Sequence, residues 1–171
     1  MNVQEKKNGF TIIEVVLVLA IAGLIFLMVF IALPALQRSQ RDSARKSEVA
    51  TVISAITNYQ SNNSRGQVPT GANIAQYVTG NTDANSAQLE SGTTIIVRDT
   101  QYSANRTITA KLTSGDNTGA DELGPDQIKV YFGSKCTDES NKLTKGTAKQ
   151  VAVVVALEAG PAGGSVYCQS S

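Results

Sequence analysis

A single carboxylate stands inside a long apolar run near the start of the chain. Glu14 follows Phe10 by four residues, and the run continues almost unbroken from Val15 to Leu36. A carboxylate within hydrocarbon costs about 2.5–3.5 kcal/mol on insertion scales, and an acid in that setting needs a partner. No side chain between Phe10 and Leu36 can serve as one. Glu14 is therefore either a boundary residue that reaches the lipid headgroups or an acid whose partner is not a side chain of this run.

The composition argues against most catalytic chemistry. The 171 residues include no His, and 15 basic and 14 acidic residues leave a net charge of +1. The lack of His removes the commonest general base and the commonest metal ligand. A charge this small gives no strong field for nucleic acid. No Gly-rich phosphate loop and no nucleophile–base set is visible, so the sequence predicts neither an enzyme nor a cofactor.

The two cysteines, Cys136 and Cys168, lie in the last quarter of the chain and form no C-x-x-C pair. Zinc and thioredoxin-type redox sites therefore have no support. In an exported domain the pair is expected to form one disulfide, worth roughly 3 kcal/mol by the loop-entropy estimate. The alternative is two buried thiols.

Two charged groups of residues each have a functional and a structural interpretation. An acidic loop could bind calcium, but it lacks the EF-hand spacing, and a solvated turn is the favoured prediction. A lysine patch could contact DNA, but acidic residues interrupt it and aromatic residues are sparse. The acidic residues are Asp116, Asp121, Glu122 and Asp126, and the lysines are Lys135, Lys142, Lys145 and Lys149.

The apolar run has the length of a transmembrane helix. At about 22 residues it exceeds a usual signal-peptide core, which favours retention over removal. Gly23 and Pro34 are its weak points, because Pro34 cannot donate a hydrogen bond to the carbonyl of Phe30. The sequence predicts a kink or local melting there.

The helical pattern continues past the apolar run. Its apolar residues recur at helical spacing and form one stripe, with polar residues on the other faces. The stripe consists of Val49, Val52, Ile53, Ile56 and Tyr59. We expect one helix from about Phe10 to about Asn62, apolar over 10–36 and amphipathic over 37–62, with the second half packed on a domain.

Residues 63–171 are predicted to form a globular head of α+β type. Residues 63–92 are expected to be a connecting loop with a short helix at Asn73–Val78. An antiparallel sheet of about four strands with a C-terminal disulfide loop should occupy 93–171. The expected strands are Thr93–Arg98, Arg106–Leu112, Gln127–Phe132, Val151–Glu158 and Ser165–Cys168, with polar turns at Thr113–Asp126 and Thr137–Gln150. The segment VAVVVALE is the candidate central strand against the helix.

The sequence Lys6-Lys7-Asn8-Gly9, followed by Phe10 and by Glu14, resembles the prepilin signature of type IV pilins and type II secretion pseudopilins. The long helix, loop, strands and C-terminal cysteine pair are also similar to that family. The resemblance implies that residues 1–9 are a leader, which a prepilin peptidase removes between Gly9 and Phe10. It also implies N-methylation of Phe10.

The implied cleavage supplies a partner for Glu14. It creates an α-ammonium on Phe10, and Glu14 lies one helical turn further along on the same face. Glu14 could meet its own terminus or that of a neighbouring subunit, which in hydrocarbon is much preferred to a lone carboxylate.

The resemblance also implies a role as the structural subunit of a type IV pilus-like filament, used in adhesion, motility or DNA uptake. The alternatives are a minor pilin or pseudopilin, or an anchored binding domain with no part in assembly. The implied partners are copies of the chain in a helical homopolymer, the peptidase, a platform protein and an assembly ATPase. The precursor should span the membrane with its N-terminus at the cytoplasmic side, although the positive residues that follow the run would by themselves favour the opposite orientation.

Overall fold

The computed structural model of the chain is described in two units, which divide between Arg38 and Ser39. The first unit is the beginning of the long helix, and the second contains the rest of the helix and the head. The described residues are 9–63, 68–80, 87–89, 93–99, 106–110, 122–160 and 164–171.

The chain begins with one long helix, α1, over Ile12–Asn62 (51 residues). The carbonyl of Thr11 accepts the first helical hydrogen bond, from the Val15 N–H at 3.3 Å, so the helix starts two residues after the predicted Phe10. Helical structure is unbroken through Gly23 and Pro34. Loosening at these two residues stays a prediction.

The second half of α1 contacts the head through the predicted stripe. Val49, Val52 and Ile56 are buried, and Ile53 and Tyr59 are half-buried. All but Tyr59 pack in a core that also contains apolar residues of α2 and of the main sheet, and the Tyr59 ring contacts Tyr77 of α2. The prediction of an amphipathic half-helix packed on a domain is confirmed.

The main sheet contains four of the five predicted strands, in the order β1-β5-β8-β9. β5 pairs antiparallel with β8, and β8 pairs antiparallel with β9. The four strands are β1 (Thr94–Asp99), β5 (Gln127–Phe132), β8 (Val151–Leu157) and β9 (Ser165–Ser170). The α+β fold, with a long helix against a small sheet, is therefore confirmed.

One strand pairing differs from the prediction of a purely antiparallel sheet. β1 runs parallel to β5, with Thr94 opposite Gln127 and Val97 opposite Val130. A parallel pair needs a long crossover, because the chain must return to the same end of the sheet. The described residues between these two strands include three short strands that lie outside the main sheet.

β8 is the central apolar strand that the sequence predicts. All seven of its residues are buried, because both faces of the strand are covered. Val151, Val153 and Val155 face the core shared with α1, while Ala152 and Val154 face a second apolar cluster.

Two small sheets contribute to that second cluster. The first has the order β2-β7-β6, and the second is the pair β3-β4. Their strands are β2 (Arg106–Thr107), β3 (Thr109–Ala110), β4 (Glu122–Leu123), β6 (Ser134–Cys136) and β7 (Lys142–Lys145).

The small sheets correct three sequence predictions. The expected polar turn at Thr113–Asp126 contains β4, whose Leu123 is buried. The expected polar turn at Thr137–Gln150 contains β7, whose Leu143 is 1% exposed and anchors an otherwise polar strand. The expected strand Arg106–Leu112 is instead two short strands that flank buried Ile108, and its last two residues lie outside the described residues.

A short helix, α2, lies in the predicted connecting loop at Gly71–Thr79, close to the expected Asn73–Val78. A capping box closes its start: the Thr70 hydroxyl accepts the Asn73 N–H at 3.2 Å, and the Asn73 side chain accepts the Thr70 N–H at 3.1 Å. Gly80 ends the helix in the left-handed conformation, at φ 70°. Ile74 and Ala75 pack into the core below the helix.

Candidate functional site

The predicted cleavage site lies just before α1. Gly9, Phe10 and Thr11 are not helical, and the Phe10 side chain is 83% exposed. A side chain on Gly9 would meet nothing within 4 Å. The peptide bond between Gly9 and Phe10 therefore stands in an accessible, non-helical segment, as a protease requires of its substrate.

Glu14 lies in the first turn of α1 and is exposed. A carboxylate there is favoured by the partial positive charge at a helix N-terminus. Among the described residues, no side chain forms a hydrogen bond or an ion pair with it. The acid is thus available to a positive group supplied from elsewhere.

The first half of α1 presents an apolar surface on every side. It is long and apolar enough to cross a membrane, and none of its most apolar stretch is buried. Apart from Tyr77, every large hydrophobic side chain found exposed in the described chain lies between Phe10 and Leu36. An exposed apolar surface of this extent marks a site of contact with lipid or protein.

The second half of α1 holds a buried acid that the sequence analysis missed. Asp42 is 5% exposed, and both of its carboxylate oxygens accept backbone hydrogen bonds from the end of β8. Oδ1 accepts the N–H of Glu158 at 2.8 Å, and Oδ2 accepts the N–H of Ala159 at 2.9 Å.

Two arginines of α1 complete this arrangement, called here the Asp42 cluster (Arg41, Asp42, Arg45 and Glu158). Arg41 donates from Nε and Nη2 to the two carboxylate oxygens of Glu158, at 2.8 and 2.7 Å. Arg45 donates to the carbonyl of Ala156 at 3.2 Å and lies 3.4 Å from Glu158 and 3.8 Å from Asp42. The hydrogen bond to Glu158 raises the pKa of Arg41 above its ordinary value.

The sequence did hold one signal for the cluster. Asp42 precedes Val49 by seven residues and so falls on the predicted stripe. In the sequence the neighbouring arginines are only positive residues that follow the apolar run, because Glu158 is 117 residues away from Arg41 along the chain.

The two cysteines are joined in a disulfide, with Cα atoms 5.9 Å apart. Cys136 ends β6 and Cys168 lies in β9, so the bond fastens a small sheet to the last strand of the main sheet. The predicted disulfide is confirmed.

The structure adds little support for a binding function of the acidic loop or of the lysine patch. Asp116 and Asp121 lie outside the described residues, while Glu122 belongs to β4 and Asp126 to the turn before β5. Within the described ranges, no three acidic or cysteine residues come together as a metal site. Calcium binding by this loop stays untested.

The lysine patch lies around β6 and β7, with all four lysines exposed. Lys142 pairs with Glu139 at 2.7 Å, so part of its charge is already balanced. DNA binding by this patch stays untested.

Comparison with protein families matches residues 5–30 to the prokaryotic N-terminal methylation motif. No curated protein and no solved structure matches the chain. The matched residues include Gly9, Phe10 and Glu14 and most of the exposed apolar half of α1. Residues 5–30 thus carry the N-terminal methylation motif, the class III signal peptide of type IV pilins.

Proposed function

We propose that the mature protein is a structural subunit of a type IV pilus-like extracellular filament. The observation that carries the proposal is the methylation motif at residues 5–30, which continues into a helix half that is apolar and exposed on every side. The motif implies processing by a prepilin peptidase and handling by pilus assembly machinery. A platform protein and an assembly ATPase are the further partners of this proposal.

The proposed sequence of events starts in the membrane. The precursor spans the bilayer through 10–36 with its N-terminus at the cytoplasmic side, and the peptidase cuts between Gly9 and Phe10 and methylates Phe10. Because the cut leaves an α-ammonium one turn from Glu14, the mature end carries two opposite charges on an apolar helix. Such a pair is stable in hydrocarbon only when the two charges meet.

Assembly then transfers the helix from lipid to a filament core. Copies of 10–36 pack against one another, and Glu14 of one subunit pairs with the terminus of a neighbour. These contacts are heterologous, so repetition along a screw axis produces an open polymer. The heads, held by the second half of α1, form the outer surface.

The test is Glu14→Ala in cells that assemble the filament. We expect membrane insertion, leader removal and methylation of Phe10 to persist, while filament entry is lost, because only assembly uses the charge pair. Asp138→Ala, which removes an exposed acid from a turn of the head, is the control and should assemble normally. Normal filaments from the Glu14 variant would contradict the mechanism.

Two further measurements separate the competing roles. A methylated Phe10, detected by mass spectrometry of the mature protein, distinguishes a filament subunit from an anchored domain with no assembly role. The abundance of the chain in purified fibres, compared with fibre number by microscopy, distinguishes a major pilin from a minor pilin or pseudopilin.

Protease access to the head in whole cells tests the proposed orientation of the precursor in the membrane.

A further inference from the structure

The stripe that joins α1 to the head begins with an acid where an apolar residue would be expected. Asp42 shares one helix face with Val49, Val52 and Ile56, and all four are buried. Burying a carboxylate is costly unless it is hydrogen-bonded and paired. Asp42 must therefore make interactions at this position that an apolar residue could not make.

The reason lies in the groups that Asp42 binds. Antiparallel pairing of β8 with β9 ends at Leu157 opposite Ser165. The next two N–H groups, of Glu158 and Ala159, both donate to Asp42. These two N–H groups extend beyond the β8–β9 pairing and take their acceptors from Asp42, so Asp42 serves as the cap for the end of β8.

The bend that Asp42 binds has a restricted geometry. Gly160, the next residue, has φ 137°, a conformation that side chains rarely adopt, and a Cβ there would lie 2.9 Å from the Cβ of Ser165. The Ser165 hydroxyl also donates to the carbonyl of Ala159. Asp42 therefore binds the backbone just before Gly160, where the conformation of the chain is restricted.

We propose that Asp42 sets the axial register of α1 on the head. Apolar burial is non-directional, so the valines and isoleucines of the stripe define the face of the helix better than its position along its axis. A slip by one turn would move the helix by about 5.4 Å. It would leave the buried carboxylate without its hydrogen bonds and the two N–H groups without this acceptor. The Asp42 hydrogen bonds thus exclude registers that the apolar contacts alone would allow.

The arginines reinforce this register with unequal strength. Arg45 is the stronger support, since its side chain is 15% exposed and contacts Asp42, Glu158 and the carbonyl of Ala156. Arg41 is 52% exposed, and an ion pair so open to solvent contributes little. Asp42 and its two backbone bonds are therefore the centre of the cluster.

A functional consequence rests on the proposed filament role. The head can occupy a regular position in a filament only if its register on α1 is the same in every subunit. Asp42 is thus a positioning residue for assembly, with no contact to the cleavage site or to Glu14 required.

Hydrogen exchange of the full-length mature protein in detergent micelles tests the register without any filament. In Asp42→Ala we expect exchange at the amides of Glu158 and Ala159, and in α1 over 42–48, to rise on the order of tenfold or more. Exchange over 49–60 and in β5 should stay as in the unsubstituted protein. Asp42→Asn, which keeps one acceptor oxygen, should give a smaller rise at the same places and serves if the Ala variant does not fold.

The matched control is Glu139→Gln, which breaks the exposed pair with Lys142 and should alter exchange at neither place. Unchanged exchange at Glu158 and Ala159 in the folded Asp42 variants would overturn the proposal. An equal rise throughout the head would also overturn it, because Asp42 would then be only a general source of stability.

Filament formation by Asp42→Ala, measured beside methylation of Phe10, completes the test. We expect methylation to be retained and fibre yield to fall. An unmethylated Phe10 in the unsubstituted protein would remove the proposed function while leaving the exchange result intact. Full fibre yield from a variant with locally raised exchange would show that the register does not matter for assembly and would overturn the positioning role.

Discussion

The two halves of α1 belong to one continuous helix, but the apolar side chains of the first half are exposed and those of the second half are largely buried. Val18 in the first half is 60% exposed, whereas Val52 in the second half is 0% exposed. Within the described residues, none of the most apolar stretch of the first half is buried. Its helical structure therefore depends on internal hydrogen bonds, which lipid strongly favours. The second half is held by the head. A single helix can therefore carry an assembly surface at one end and a packing surface at the other.

The same substitution placed in each half gives the largest contrast. Val52→Asp buries a charge with no designed partner, which typically costs roughly 3–5 kcal/mol, a large part of a domain's total stability. We expect the head to be largely unfolded, as judged by urea denaturation of the full chain in detergent, followed by tyrosine fluorescence.

Val18→Asp is the matched variant. It should leave the free energy of unfolding of the head unchanged, but it adds about 2.5–3.5 kcal/mol to the cost of membrane insertion and should reduce fibre yield. A folded head in Val52→Asp, or a destabilised head in Val18→Asp, would remove the distinction between the two halves.

Removal of the disulfide should affect the second unit alone. The bond closes a sequence separation of 32 residues, so replacing Cys136 and Cys168 together by Ala should lower the free energy of unfolding by roughly 3 kcal/mol. The measurement is the urea midpoint of the variant, with detergent extraction of the protein from membranes as the control for the first half of α1. Altered extraction would show that the apolar half depends on the state of the head.

The contrast between the halves was visible in the sequence, since it follows from local patterns. An unbroken apolar run and an apolar stripe at helical spacing each identify their surface without knowledge of a partner. The same holds for β8, whose continuous Val and Ala content indicates burial on both faces. The methylation motif is equally local, and Gly9, Phe10 and Glu14 could be named from it.

Features that depend on distant residues were not visible. The role of Asp42 could not be predicted, although its position falls on the stripe, because the two N–H groups that it binds are more than a hundred positions away. The parallel pairing of β1 with β5 was missed, because strands that follow one another in sequence usually pair as neighbours. β7 was read as a turn, since only Leu143 among its residues is buried.

The smallest substitution that we expect to affect the two halves differently removes one methylene group. Ile56 is 2% exposed and Ile21 is 51% exposed, although both are isoleucines of α1. Ile56→Val should lower the free energy of unfolding by about 1 kcal/mol, because a close-packed core cannot fully collapse around the gap. Ile21→Val should leave it unchanged, because Ile21 has no core around it in the isolated chain. Urea denaturation under identical detergent conditions compares the two, and equal effects would show that the first half of α1 also contributes to the folded core.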